Sequence, residues 1–263
     1  MSRKLNLKIH FPECSMQRLK KTLTICISII LASAVLICAL YPLIRILAKD
    51  PPGFEPPDVT QKRYPTVIID AGHGGEDGGA VGVNGIHEKD LNLSIALALY
   101  EMLCSRGIPA RLTRTDDTLL YDRDTNYQGH KKALDMVARL AISEEYESAI
   151  FVSIHMNSFT QSKYSGLQVY YSENDARSHA LAELIQSLAV TNLQPENNRK
   201  TKPSDGNIYL LDKISHPAVL VECGFLSNNE ECTLLCTSEY QNRLVMTLFS
   251  SILKYFEACA NIS

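Results

Sequence analysis

Two histidines and two glutamates stand where apolar runs give way to polar or glycine-rich chain. His73 lies in Asp70-Ala-Gly-His-Gly-Gly, just past the β-branched run at residues 66–69. His155 ends the apolar run that begins at residue 149, and Glu222 directly follows the run at residues 218–221. Glu88 falls fifteen residues after His73, immediately before the helical pattern opened by Asp90-Leu-Asn-Leu-Ser. Two imidazoles and one carboxylate are a common donor set for catalytic zinc, leaving a fourth position for water. A further carboxylate beside them has a natural task, taking a proton from that water and delivering it to a leaving amine. Gly72, Gly74, Gly75, Gly78 and Gly79 surround His73, so the backbone there turns tightly and admits a large substrate.

These residues need a scaffold that brings strand ends together. The pattern predicts an α/β fold, a single domain with a mostly parallel twisted sheet flanked by helices on both faces, preceded by one transmembrane helix. Strands are expected at residues 66–69, 108–113, 149–155, 166–171 and 218–221. Helices are expected at residues 91–104, closed by Gly107, and at 130–142, 176–192 and 240–256. Ligands bind at the carboxyl ends of strands in open α/β sheets, so His73 and His155 open onto one cleft if their strands are neighbours. Asp70, Arg114 and Asn157 sit at the same ends and are candidates for orienting the imidazoles. A hydrogen bond that merely ties a loop is an equal reading for each. His87 competes with Glu88 as a ligand, and His130, His179 and His216 read as surface or structural.

The chain divides into a basic cytoplasmic tail (residues 1–21), a transmembrane signal-anchor (22–47), a Pro-rich tether (48–62) and a catalytic domain (63–263). Residues 22–44 carry no charge over 23 positions, enough to cross a hydrocarbon core about 30 Å thick. Six Lys and Arg residues precede them against a single Glu13, which puts the N-terminus in the cytoplasm and the rest outside. A cleaved signal peptide ending near Ala32-Ser33-Ala34 is the rival, but the apolar run continues ten residues beyond it. Residues 48–263 carry a net charge of −9 and no basic stripe interleaved with aromatics, which argues against a nucleic-acid partner. Arg199, Lys200 and Lys202 are the positive exception, either a solvated loop or a contact for a carboxylate-bearing substrate. The eight cysteines form neither a disulfide framework nor a CxxC pair.

Asp70-Ala-Gly-His-Gly-Gly, Glu88-Lys-Asp-Leu-Asn-Leu, Ser153-Ile-His-Met-Asn-Ser and Val221-Glu-Cys-Gly-Phe-Leu-Ser-Asn occur in an order and spacing similar to the zinc-dependent N-acetylmuramoyl-L-alanine amidases of the Amidase_3 family. The resemblance covers roughly residues 65–257. It implies one zinc ion per chain held by His73, Glu88 and His155, with Glu222 catalytic. It further implies a peptidoglycan hydrolase that cleaves the amide between the lactyl group of N-acetylmuramic acid and the L-alanine of the stem peptide. A single amino-terminal span and one bare catalytic domain resemble the germination-specific (CwlD-type) amidases of spore formers, which implies a role in spore-cortex muramic-lactam formation and germination. Two positions depart from the family pattern: Glu144 at a helix end, and Cys223 within the fourth motif, where it is expected beside the metal. Alternatives are a vegetative amidase of division or lysis, a zinc peptidase cutting within the stem peptide, and a non-catalytic wall-binding module. The acidic surface and the lack of wall-binding repeats call for an exported activator or recruiting protein.

Overall fold

Six segments become strands: β1 (Thr66–Ala71), β2 (Ala110–Leu112), β3 (Ala149–Asn157), β4 (Gln168–Tyr171), β5 (Lys202–Pro203) and β6 (Ala218–Phe225). The helices are α1 (Glu88–Ser105), α2 (Lys131–Ser143), α3 (Arg177–Asn192), α4 (Tyr209–Lys213), α5 (Asn229–Leu235) and α6 (Ser238–Ala260). The computed structural model describes residues 64–122, 124 and 129–260, together with helical residues at 21, 24–33, 36–37 and 39–41. All six strands form one sheet in the order β2-β1-β3-β6-β4-β5. Pairing is parallel throughout, except that β4 runs antiparallel to β6. His73 therefore follows β1 while His155 lies near the end of β3, the adjacent parallel strand.

Alternation along the strands builds two cores. Val67, Ile69, Ile150, Val152, Val219 and Val221 pack with α1, α3 and α6. Ile68, Phe151, Ala218 and Leu220 pack with Leu210 and Leu211 of α4, and Met136 and Leu140 of α2 lie against the same cluster. Helix α1 has Glu88 and Asp90 in its first turn, where negative charge suits the helix dipole. It ends in a Schellman motif: Ile108 N donates to Leu103 O (3.1 Å) and Gly107 N to Cys104 O (3.0 Å), with Gly107 at φ 69°.

Strands β3 and β6 run further than the apolar runs suggest. Strand β3 continues to Asn157, with a register shift between His155 and Asn157. Strand β6 continues to Phe225, so Glu222 stands within a strand rather than after one. Part of the expected basic loop forms the short edge strand β5. Helices α4 and α5 are additions to the expected set; α5 starts at an Asn228 cap whose side chain accepts from Glu231 N at 3.0 Å.

By its internal contacts the chain separates into Met1–Lys62 and Arg63–Ser263. Among the described residues no helix is long and apolar enough to cross a membrane. The expected tether and all but residue 21 of the tail lie outside the described residues, as does much of the expected span.

Candidate active site

The turn after β1 is held by two buried arginines. Arg139 of α2 donates from Nη1 to Asp70 Oδ1 (2.6 Å) and Ala71 O (2.7 Å), from Nη2 to His73 O (2.6 Å), and from Nε to Asp135 Oδ2 (2.8 Å). Arg114 donates from Nε to Ala71 O (2.8 Å) and from Nη2 to Gly72 O (3.0 Å) and Lys89 O (2.8 Å). The second arginine thus ties the loop to the first turn of α1. Between these braces His73 adopts φ 62°, a left-handed conformation uncommon for residues other than glycine. Gly72 has no substitute here, since a Cβ on it would stand 2.2 Å from His155 Nε2.

Three ligand-type side chains converge past this turn. His73 Nε2 lies 3.2 Å and His155 Nδ1 3.0 Å from Glu88 Oε1. One donor atom from each of the three falls within 4.8 Å of the others. The two rings meet edge to face with centroids 4.9 Å apart. Glu88 is itself fixed: Oε1 accepts from Met156 N (3.0 Å) and Asn92 Nδ2 (3.3 Å), and Oε2 from Ala80 N (2.9 Å). Burial pushes its pKa up, but the neighbouring imidazoles outweigh that and hold the carboxyl far below its usual range. For His73 burial opposes charge, whereas Glu88 and Asp77 raise its pKa overall.

Glu222 has the opposite surroundings. It pairs in register with His155 on β3 and with Gln168 on β4. Its Oε2 is buried and has no hydrogen-bond partner among the described residues. Burial, reinforced by the charge of Glu88 and opposed by the imidazoles, pushes its pKa up to about 7. A buried carboxylate oxygen without a partner is costly, and a fold that keeps one marks a candidate functional group.

The other candidates fall in different places. Asp70 accepts from Arg139, Thr113 Oγ1 (2.8 Å) and Ser153 Oγ (2.6 Å), and Arg114 serves backbone carbonyls. Neither hydrogen-bonds an imidazole, so both act on the site through the backbone of the His73 loop. Asn157 lies in an adjoining groove with Gln168 and Arg199. His87 immediately precedes α1, sits against Gly78 and stays outside the cluster. Cys223 was expected beside the metal; strand alternation instead turns it into the opposite, apolar core, where burial raises its thiol pKa. Glu144 ends α2 and accepts from Ser215 N (3.0 Å) and Oγ (2.7 Å), which anchors the chain before β6.

Two residues escaped the sequence reading. Asp77 Oδ2 lies 2.9 Å from His73 Nδ1, the orienting position a metal-binding histidine usually finds filled. Its signal was the four-residue spacing from His73. Arg139 offered none, because an arginine in an amphipathic helix normally faces water. Two imidazoles and a carboxylate converging beside an unpaired carboxylate fit zinc by donor chemistry.

The profile of the N-acetylmuramoyl-L-alanine amidase family, Amidase_3, matches residues 67–254. A germination-specific N-acetylmuramoyl-L-alanine amidase of Bacillus subtilis is 36% identical over 190 residues, covering 72% of this chain and 79% of its own. The structure of the CwlD amidase from Clostridioides difficile in complex with the GerS lipoprotein superposes with TM-score 0.69 at 41% identity, over 74% of this chain and 99% of that one. AmiC2 of Nostoc punctiforme gives TM-score 0.62 at 34% identity, over 73% and 97%.

Proposed function

Since the chain belongs to the N-acetylmuramoyl-L-alanine amidase family, we propose that His73, Glu88 and His155 hold one zinc ion and that Glu222 is the catalytic base of amide hydrolysis in peptidoglycan. Zinc held there supplies Lewis acidity, acidifying water and polarising an amide carbonyl. Glu222 accepts the proton of the attacking water, and a carboxylate of pKa about 7 is well matched to that task near neutrality. It then returns the proton to the L-alanine nitrogen, which leaves with the stem peptide while the lactyl carboxylate stays on the glycan. Arg139, Arg114 and Asp77 hold the His73 loop and ring in place, so little reorganises as charge develops.

The observation that carries this reading is the buried, unpartnered Oε2 of Glu222 across the β3–β6 pair from His155. The likeness to a germination-specific amidase supports work on spore cortex rather than vegetative wall. On the precedent of the C. difficile protein, an exported lipoprotein serves as partner. The uncharged stretch at residues 22–44 behind a basic tail supports anchoring to the membrane, with the catalytic domain on the outer side.

Digestion of purified peptidoglycan by the full chain with zinc tests the reaction. Mass spectrometry is expected to find intact stem peptides beginning with L-alanine. Glu222→Gln is expected to lose at least about 100-fold in rate while keeping its zinc. Cleavage inside the peptide would replace the amidase by a peptidase.

A further inference from the structure

A groove of about 310 Å³ adjoins the histidine cluster and has no part in the chemistry above. Asn157, Tyr164, Gln168, Tyr170, Arg199 and Phe225 line it. One of its residues neighbours the site across the sheet: Gln168 on β4 lies directly opposite Glu222 on β6. Directly opposed residues project from the same face with Cβ atoms about 5 Å apart.

Gln168 in turn fixes Arg199. Its Oε1 accepts from Arg199 Nη1 at 3.0 Å, and its Nε2 donates to Lys200 O at 2.8 Å. Arg199 Nε donates to Ser165 O at 2.8 Å, and the guanidinium stacks 4.5 Å from the centroid of the Phe225 ring. Three contacts set the plane of the guanidinium, yet its Nη2 makes no hydrogen bond among the described residues. Glu231, the nearby carboxylate, is already engaged by Gly166 N, Phe225 N and Gln194 Nε2. Lys202 lines the same groove and forms no ion pair among the described residues. In a region of net charge −9, a fixed guanidinium with an open edge is arranged for an anion from outside.

The direction of the reaction says which half of the substrate meets it. Glu222 protonates the departing amine, so that amine lies within hydrogen-bond reach of Glu222, whose partner across the sheet, Gln168, lines the groove. The cavity that His73 and His155 themselves line, together with Met136, Ile208, Tyr209 and Leu211, leaves room for the glycan. We propose that the groove binds the peptide half of the substrate and that Arg199 pairs with a free carboxylate of that peptide. The preference for acidic over amidated stem peptides follows from that pairing, and it rests on the amidase reading.

The test uses the full chain with zinc on synthetic muramoyl peptides in which each peptide carboxylate in turn is free or amidated. At one position the wild type is expected to favour the free acid by about tenfold in kcat/KM, carried mainly by KM. Arg199→Gln collapses that ratio toward one, and Arg199→Lys restores part of it. An unchanged ratio in folded Arg199→Gln, or no preference at any carboxylate in the wild type, overturns the proposal. Should Arg199→Gln fail to fold by circular dichroism, the wild-type substrate pairs decide alone. Release of no peptide from any substrate is a separate failure, that of the amidase reading itself.

Discussion

Glu88 and Glu222 are both glutamates beside His155, and their contrasting surroundings suit the opposite tasks proposed for them. Glu88 opens α1 with both oxygens engaged by backbone and side-chain donors, so it stays ionised and immobile. Glu222 sits within β6 with one oxygen facing no partner, so its proton is easily gained and lost. The contrast extends outward. The loop between β1 and α1 is tied by Arg139, Arg114 and Asp77, whereas the middle of β6 is held by its pairing with β3 and β4 and by apolar packing on both faces. A ligand needs a fixed position; a base needs an affinity for protons tuned by desolvation.

Removing the brace should have the largest effect on folding. Arg139→Ala leaves Asp70 and Asp135 buried without their cation and is expected to cost about 3–5 kcal/mol. Urea denaturation of the metal-free chain reads it. The Asp70 share has a definite sign: its folded pKa lies below the ordinary 3.8, so its contribution is present above that value and is lost as pH falls through the folded pKa.

The β6 side should respond in the other direction. Because Glu222 is raised from 4.5 to about 7, the unfolded chain loses this proton first, and stability falls as pH rises between those values. Glu222→Gln in chelator-treated protein is therefore expected to be stabilising at pH 8, by up to about 3 kcal/mol, and neutral at pH 4. Equal stability of the two proteins at pH 8 would show that Glu222 is solvated after all.

Asp77→Asn is the mildest change. It keeps the shape but weakens the hold on His73 Nδ1, and is expected to lower zinc affinity by about 10–100-fold. Competition with a chromogenic chelator measures it.

Much of this was legible in the chain. Apolar runs ending in His73, His155 and Glu222 named the strands of the site, because a buried parallel strand leaves few other places for polar groups. The order of the sheet was not legible: that β4 runs antiparallel beside β6, and so puts Gln168 against Glu222, depends on pairings no local pattern encodes. Arg139 was hidden for a related reason, since a charged residue becomes interior only when Asp70 and Asp135 meet it from elsewhere. Cys223 was misplaced by reading proximity along the chain as proximity in space. Period-two alternation would have put it on the far face.

His73 carries one more implication. A histidine with φ 62° sits where glycine or asparagine would be more comfortable, at a cost of order 1–3 kcal/mol. Glu222 is likewise a residue the fold alone would not choose. Laboratory evolution toward heat resistance, run without a hydrolysis screen, would exchange both early and return a hardier protein that can no longer cut. The sturdiest descendants of this chain would then be the least informative about its trade.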